Sequence, residues 1–167
     1  DELVYLCAGE SVGKTALVLQ MLRCNRAMKG ALASLESSRA RLVPRLVGQI
    51  ARINTLSLKL GKGNPLMFKK ARDAAQTLDS LPFTISDTPM DLERLTAWGR
   101  MEIKRGAKYL VVDNTRHIRT RQAYRSPVEQ MRDVSIRLKA LRDDVGVPVV
   151  VLHHSNADGD VSWSKDL

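Results

Sequence analysis

Leu3-Val4-Tyr5-Leu6-Cys7-Ala8-Gly9-Glu10-Ser11-Val12-Gly13-Lys14-Thr15-Ala16-Leu17-Val18-Leu19 is the stretch whose reading decides the fold. A short aliphatic run enters it, and an apolar-rich helical pattern leaves it. Between them, residues Ala8, Gly9, Glu10, Ser11, Val12, Gly13, Lys14 and Thr15 depart from the phosphate-binding loop pattern only at the first place, where Ala8 stands for glycine. Strand, glycine-bearing loop and helix form the geometry in which successive backbone N–H groups and a helix N-terminus converge on phosphate oxygens. Gly13 lets the backbone approach, Lys14 reaches the β and γ phosphates, and Thr15 offers a hydroxyl to Mg²⁺. The competing reading is a glycine-bearing turn that merely caps a helix. The loop therefore predicts a Mg²⁺-bound triphosphate as ligand.

Outward from the loop, short apolar runs alternate with longer amphipathic ones. The first helix is expected from about Gly13 to Met28. Its apolar positions Ala16, Leu17, Val18, Leu19, Met21 and Leu22 wrap most of the circumference, so it should be largely buried. A strand follows at Ala31 to Leu35 and a helix at Arg39 to Arg52 despite Pro44. Gly61, Gly63, Asn64 and Pro65 punctuate. Next come a helix from about Leu66 to Leu78 and a strand at Phe83 to Ser86. Thr88, Pro89 and Asp91 then read as cap, first-turn proline and first-turn acid of a helix ending near Gly106. Tyr109 to Val112 is a strand, and Ser126, Pro127 and Glu129 form a capping box. Behind it Val128, Met131, Ser135, Leu138 and Leu141 share one helical face. Val147 to Leu152 is an unbroken aliphatic run, typical of a strand covered on both faces. Five strands separated by helices imply an α/β domain with a mainly parallel sheet.

Several polar residues stand where strands end. Asp113 closes Tyr109-Leu110-Val111-Val112, and a carboxylate at the carboxyl edge of a buried strand can hold Mg²⁺ through water. Asn114 reads as a cap for the turn that follows. Glu36 leaves its strand on the same edge, either as the group that polarises an attacking water or as a plain surface acid. His153 and His154 close the last strand on opposite faces, so they cannot readily chelate one metal. Either one of them hydrogen-bonds the γ-phosphate or its attacking water, or both are satisfied polar groups at a sheet edge.

The chain has 167 residues and a formal charge of +9. Arg100 to Arg142 holds twelve Lys or Arg against four acids, a bias that suits a polyanion. The densest part is Asn114 to Arg125, where Arg116, Arg119, Arg121 and Arg125 interleave with His117 and Tyr124. Arginine forks match phosphate oxygens and a tyrosine can stack on a base; the alternatives are a solvated loop or one that pairs with an acidic neighbour. No run of about 18 apolar residues exists, so no transmembrane helix or membrane partner is expected. Cys7 and Cys24 make no disulfide framework, and Cys7 reads as a buried thiol from a reducing compartment.

Taken in order, these segments resemble the C-terminal, RecA-like motor domain of the DnaB family of replicative DNA helicases, with a secondary likeness to hexameric plasmid helicases of the RepA type. The family's phosphate loop commonly begins with alanine, as at Ala8. Ser34-Leu35-Glu36-Ser37 resembles the family's Ser-Leu-Glu-Met, whose glutamate is the catalytic base. Asp87-Thr88-Pro89, Leu110-Val111-Val112-Asp113 and Arg137-Leu138-Lys139-Ala140-Leu141 also match family segments. His154 stands where the family carries a γ-phosphate-sensing glutamine, closer to the plasmid helicases.

The resemblance implies a RecA-like P-loop core over residues 1–167, with Lys14, Glu36, Asp113 and His154 as catalytic residues. It implies ATP and Mg²⁺ as cofactors, with Thr15 and Asp113 as the metal residues. It implies single-stranded DNA held by Arg116, Arg119, Arg121 and Arg125, a hexameric ring, a primase or a helicase loader as partner, and a cytoplasmic setting in a bacterium or a phage host. Ser164-Lys165-Asp166-Leu167 resembles the start of a segment toward later strands. The domain thus reads as incomplete, with the family's arginine finger lying past Leu167. Alternatives from other classes are a RecA-like recombinase or repair ATPase, a non-catalytic nucleotide-dependent DNA-binding module, and a small-molecule kinase; the basic segment argues against the last.

Overall fold

The structure, a computed structural model, describes residues 2–120 and 123–155. In chain order it contains β1 (Leu3–Ala8), α1 (Lys14–Cys24), β2 (Gly30–Ser34), α2 (Arg39–Ala51), α3 (Thr55–Lys59), α4 (Pro65–Asp79), β3 (Phe83–Ser86), α5 (Leu92–Lys104), β4 (Tyr109–Asp113), a 3-10 turn (Thr115–His117), α6 (Pro127–Val145) and β5 (Val149–His154). The strands form one sheet in the order β1-β5-β4-β2-β3, and every pairing is parallel. This is the expected α/β architecture.

Strand periodicity explains the layering. Ala31, Ala33, Leu110, Val112, Val149 and Val151 point to one face, where they meet Leu92 and Leu95 of α5 and Val134, Leu138 and Leu141 of α6. Leu32, Tyr109, Val111, Val150 and Leu152 point to the other, against Val18, Leu19 and Leu22 of α1 and Leu42 and Leu46 of α2. Both faces are covered, so β2, β4 and β5 read as continuous apolar runs. At about 25 cal/mol per Å², burial of this aliphatic surface dominates the folding drive. Among the described residues, no helix is long and apolar enough to cross a membrane.

Three expectations need correction, and one element was not foreseen. Helix α1 ends at Cys24 and is half-buried: Val18, Leu19 and Leu22 face the sheet, whereas Ala16, Leu17 and Gln20 are exposed. Its apolar circumference overstated its burial because only one side meets the sheet. Cys7 is exposed, not buried; β1 lies at an edge of the sheet, and Cys24 at the end of α1 is exposed too. The cap of α5 is Asp91, whose carboxylate accepts from Arg94 N at 2.8 Å, and not Thr88. Residues 88–91 stay out of the helix because Met90 is buried and its carbonyl accepts from Arg119 N, while Leu92 N donates to Arg119 O. The five-residue helix α3 is too short to carry a periodic signal, yet Asn54 caps it through Leu56 N. By contrast, Ser126 caps α6 as read: its hydroxyl accepts from Glu129 N, while the Glu129 carboxylate reaches one residue further back than a capping box requires and accepts from Arg125 N.

Candidate active site and the basic segment

The carboxyl ends of β1, β2, β4 and β5 bring the expected site residues to one place. In the register, Ala8 pairs with His154 and Ser34 with Asp113. Past Ser34, the N–H groups of Leu35 and Glu36 both donate to the carbonyl of Asp113, at 2.6 and 3.3 Å, which steers Glu36 alongside Asp113. Between β1 and α1 the chain alternates handedness: Ser11 has φ 60 and Gly13 φ 106. The second value is one that a residue with a Cβ rarely adopts, and such alternation turns backbone N–H groups inward to form an anion nest. Lys14 Nζ donates to the carbonyls of Ala8 and Gly9, both at 2.6 Å, and lies 3.2 Å from His154 Nδ1.

The contact with Lys14 assigns the tautomer of His154. An ammonium only donates, so His154 Nδ1 accepts and its proton sits on Nε2, 3.4 Å from Glu36 Oε2. His153, on the other face of the strand, pairs its Nδ1 with Thr115 Oγ1 at 2.7 Å. Burial, and then the nearby Arg116, hold the His153 pKa below its ordinary value. The two adjacent histidines therefore serve different partners, as their strand geometry requires.

Thr15 Oγ1 donates to Asp113 Oδ2 at 2.8 Å, and Asp113 is only 1% exposed. Burial pushes the Asp113 pKa up and the charge of Glu36 pushes the same way, against the lowering effect of the Thr15 hydrogen bond. A hydroxyl beside a buried carboxylate is a hard oxygen pair that fits hydrated Mg²⁺, and a cation there would offset the cost of keeping Asp113 ionised. The donor set and the nest together fit a magnesium-bound triphosphate. The cleft in front of them measures about 680 Å³ and is lined by Ser11, Lys14, Glu36, Arg41, Arg45 and Asp113, among others. That volume lies in the range of small-molecule and cofactor sites.

Sequence reasoning missed Arg41 and Arg45, which line this cleft from α2. Their spacing of four puts both on one face of a helix that starts three residues after Glu36, a signal that was available. It also read Asn114 only as a cap. Asn114 does accept from Arg116 N at 3.0 Å, but its Nδ2 donates to Glu36 Oε2 as well; the Asp113–Asn114 peptide is cis.

The basic segment is less uniform than its composition suggests. Arg116 turns back to the phosphate loop, its guanidinium 3.7 Å from Glu10 Oε1. Arg119 is exposed, with its backbone tied to Met90 and Leu92 ahead of α5. Tyr124 donates its hydroxyl to Asp133 of α6 at 2.6 Å, and Arg125 is exposed at the start of that helix. Arg121 lies outside the described residues. The structure thus brings Lys14, Thr15, Glu36, Asp113 and His154 around one cleft, pairs Arg116 with Glu10 of the phosphate loop, and leaves Arg119 and Arg125 outside the cleft lining.

Residues 1–158 match the family described as DnaB-like helicase C-terminal domain. The chain is similar to the replicative DNA helicase DnaB of Rickettsia typhi, 28% identical over 167 residues, covering 91% of this chain and 34% of that protein. It is also similar to the DnaB of Geobacillus stearothermophilus, 30% identical over 159 residues, with 91% and 35% covered. The chain therefore spans about a third of the length of these curated relatives. Among solved structures, one ATPase domain superposes with a TM-score of 0.85 at 19% identity, covering 93% of this chain and 58% of that one. A DnaB-like replicative helicase, solved in a study of its interactions with primase, superposes with a TM-score of 0.86 at 19% identity, with 94% and 39% covered. At such identity these last two likenesses speak to the fold, which is the RecA-like arrangement expected.

Proposed function

Because this chain belongs to the family of DnaB-like helicase C-terminal domains, we propose that it is the motor of a DNA helicase, coupling ATP hydrolysis to movement along single-stranded DNA within a ring of copies. The observation that carries this reading is the convergence of Lys14, Thr15, Glu36, Asp113 and His154 on one cleft, with the basic segment starting directly after Asp113. Lys14 and the loop N–H groups would bind the phosphates, and Thr15 and Asp113 would hold Mg²⁺, which supplies charge neutralisation at the transferring phosphoryl group. Glu36 takes the proton of the attacking water, and His154, hydrogen-bonded between Lys14 and Glu36, is placed to register the γ-phosphate. Little covalent chemistry is asked of the protein; its task is positioning and electrostatics.

On this reading Arg116, Arg119, Arg121 and Arg125 grip DNA phosphates, the ring is a homohexamer, and a primase or a loader is its partner in the cytoplasm. The deciding experiment measures steady-state ATP hydrolysis by the full-length protein with and without single-stranded DNA, at low and moderate salt. Stimulation by DNA is expected, together with closed rings in electron micrographs. Absence of stimulation at both salts would overturn the motor reading, and filaments in place of rings would point to a recombinase.

A further inference from the structure

Asn114 is fully buried, and both ends of its amide are engaged. Nδ2 donates to Glu36 Oε2, and Oδ1 accepts from Arg116 N at 3.0 Å. The partners fix the orientation of the amide: a carboxylate only accepts and a backbone N–H only donates, so the flipped amide would set like against like at both ends. His154 Nε2 approaches the same Oε2 at 3.4 Å. Two donors therefore address one oxygen of Glu36, while no hydrogen bond among the described residues engages Oε1. The Glu36 side chain is 40% exposed and follows a strand end, so the rest of the fold does little to choose its rotamer.

A general base works only when it sits within hydrogen-bond reach of the proton it takes. We propose that Asn114 is a positioning residue for hydrolysis: by clamping Oε2 it keeps Oε1 of Glu36 turned into the cleft toward the attacking water. The 3-10 turn that Asn114 caps makes the clamp rigid, because its other hydrogen bond ties the amide to the backbone of Arg116. A cap alone needs only Oδ1. The donor aimed at Glu36 is the part that capping leaves unexplained. The proposal rests on Glu36 being the base.

The test uses the full-length protein and four variants: Asn114→Ala, Asn114→Asp, Glu36→Gln and the double Glu36→Gln/Asn114→Ala. Aspartate keeps the shape and the capping oxygen of residue 114 and, ionised, sets a second carboxylate against Glu36 in place of the donor. In both Asn114 single variants kcat for ATP hydrolysis should fall at least about 10-fold, because a base displaced by an ångström loses most of its effect. KM for ATP and the Kd of a fluorescent magnesium–ADP analogue should stay within about 2-fold, since substrate binding is untouched. In the double variant the Asn114 change should add nothing to the loss already caused by Glu36→Gln. Parental kcat in Asn114→Asp would leave Asn114 a cap and overturn the proposal; so would additive losses in the double variant. Should Asn114→Ala fail to assemble, the aspartate variant decides. Full turnover in Glu36→Gln is the separate result that removes the base assignment itself, and the proposal with it.

Discussion

The carboxyl edge of the sheet and the basic segment that leaves it differ in how they hold their charges. At the sheet edge, Asp113, Asn114, Thr115, His153 and His154 are all buried, and each has a partner within hydrogen-bond distance. A few residues further on, Arg116, Arg119 and Arg125 are exposed, and the one ion pair found for them among the described residues, Arg116 with Glu10, spans 3.7 Å between two exposed side chains. On the proposed function, the contrast follows from the work each region does. Phosphoryl chemistry depends on placement, so its groups are fixed before the reaction at a cost in desolvation. A grip on a polyanion depends on charge density and must let go repeatedly, so its cations stay solvated and adaptable.

If the edge is built for chemistry at the expense of stability, one substitution should move the two in opposite directions. Burial raises the pKa of Asp113, so its ionised form costs more in the folded than in the unfolded state. Above the ordinary carboxylate range that cost subtracts from stability, and it vanishes when the side chain is neutral. Asp113→Asn retains an oxygen to accept from Thr15. At pH 7 without Mg²⁺ it should raise Tm by about 2–4 °C per kcal/mol recovered. In the same protein ATP turnover should drop by about 10²-fold or more, since the metal carboxylate is gone. A lower Tm would mean that the Thr15 hydrogen bond outweighs burial, and the contrast between the regions would weaken.

The basic segment should behave in the other way, with binding lost and stability untouched. Replacing Arg119 by Ala should weaken single-stranded DNA binding equally for all base sequences, and reduce the slope of log K against log salt by about 0.7, the share of one phosphate contact. Its thermal unfolding should match the parent, because the side chain is exposed and only its backbone holds α5. For Arg116→Ala, loss of the pair with Glu10 should cost between about 0 and 1 kcal/mol, as for other exposed pairs. A sequence-dependent change in affinity would show that these arginines read bases, and a large fall in Tm that they belong to the fixed edge after all.

The same contrast governs what could be read from sequence. The place of Gly13-Lys14-Thr15 at the turn from strand to helix was legible because that loop pattern admits few residue types, and the places of Glu36 and Asp113 because buried strands announce their own ends. The sheet and its two-sided burial followed from the aliphatic runs of β2, β4 and β5. Features set by contacts distant in sequence were not legible. Asp91 replaces Thr88 as cap only because Arg119 holds Met90 and Leu92 from across the fold. Cys7 is exposed because β1 falls at the sheet edge, a matter of strand order that periodicity cannot carry. Likewise the second role of Asn114 depends on β2 and β4 being neighbours, which brings Glu36 within reach of its amide.

The smallest effect expected belongs to His153, which is part of the buried edge but not of the cleft. Burial and Arg116 lower its pKa, so below the ordinary value of 6.5 the unfolded chain binds more protons than the folded one. Stability should therefore rise with pH up to about 6.5, and this contribution should be absent above it. His153→Gln keeps a polar side chain facing Thr115 and cannot take the charge. The Tm difference between parent and variant should shift in favour of the variant on going from pH 7.5 to 5.5, by the equivalent of about 1 kcal/mol or less. Subtracting the variant removes every other group that titrates in this range, so a pH-independent difference would mean that His153 is as free to protonate in the folded protein as in the unfolded chain. The buried edge would then extend only as far as the residues that face the cleft.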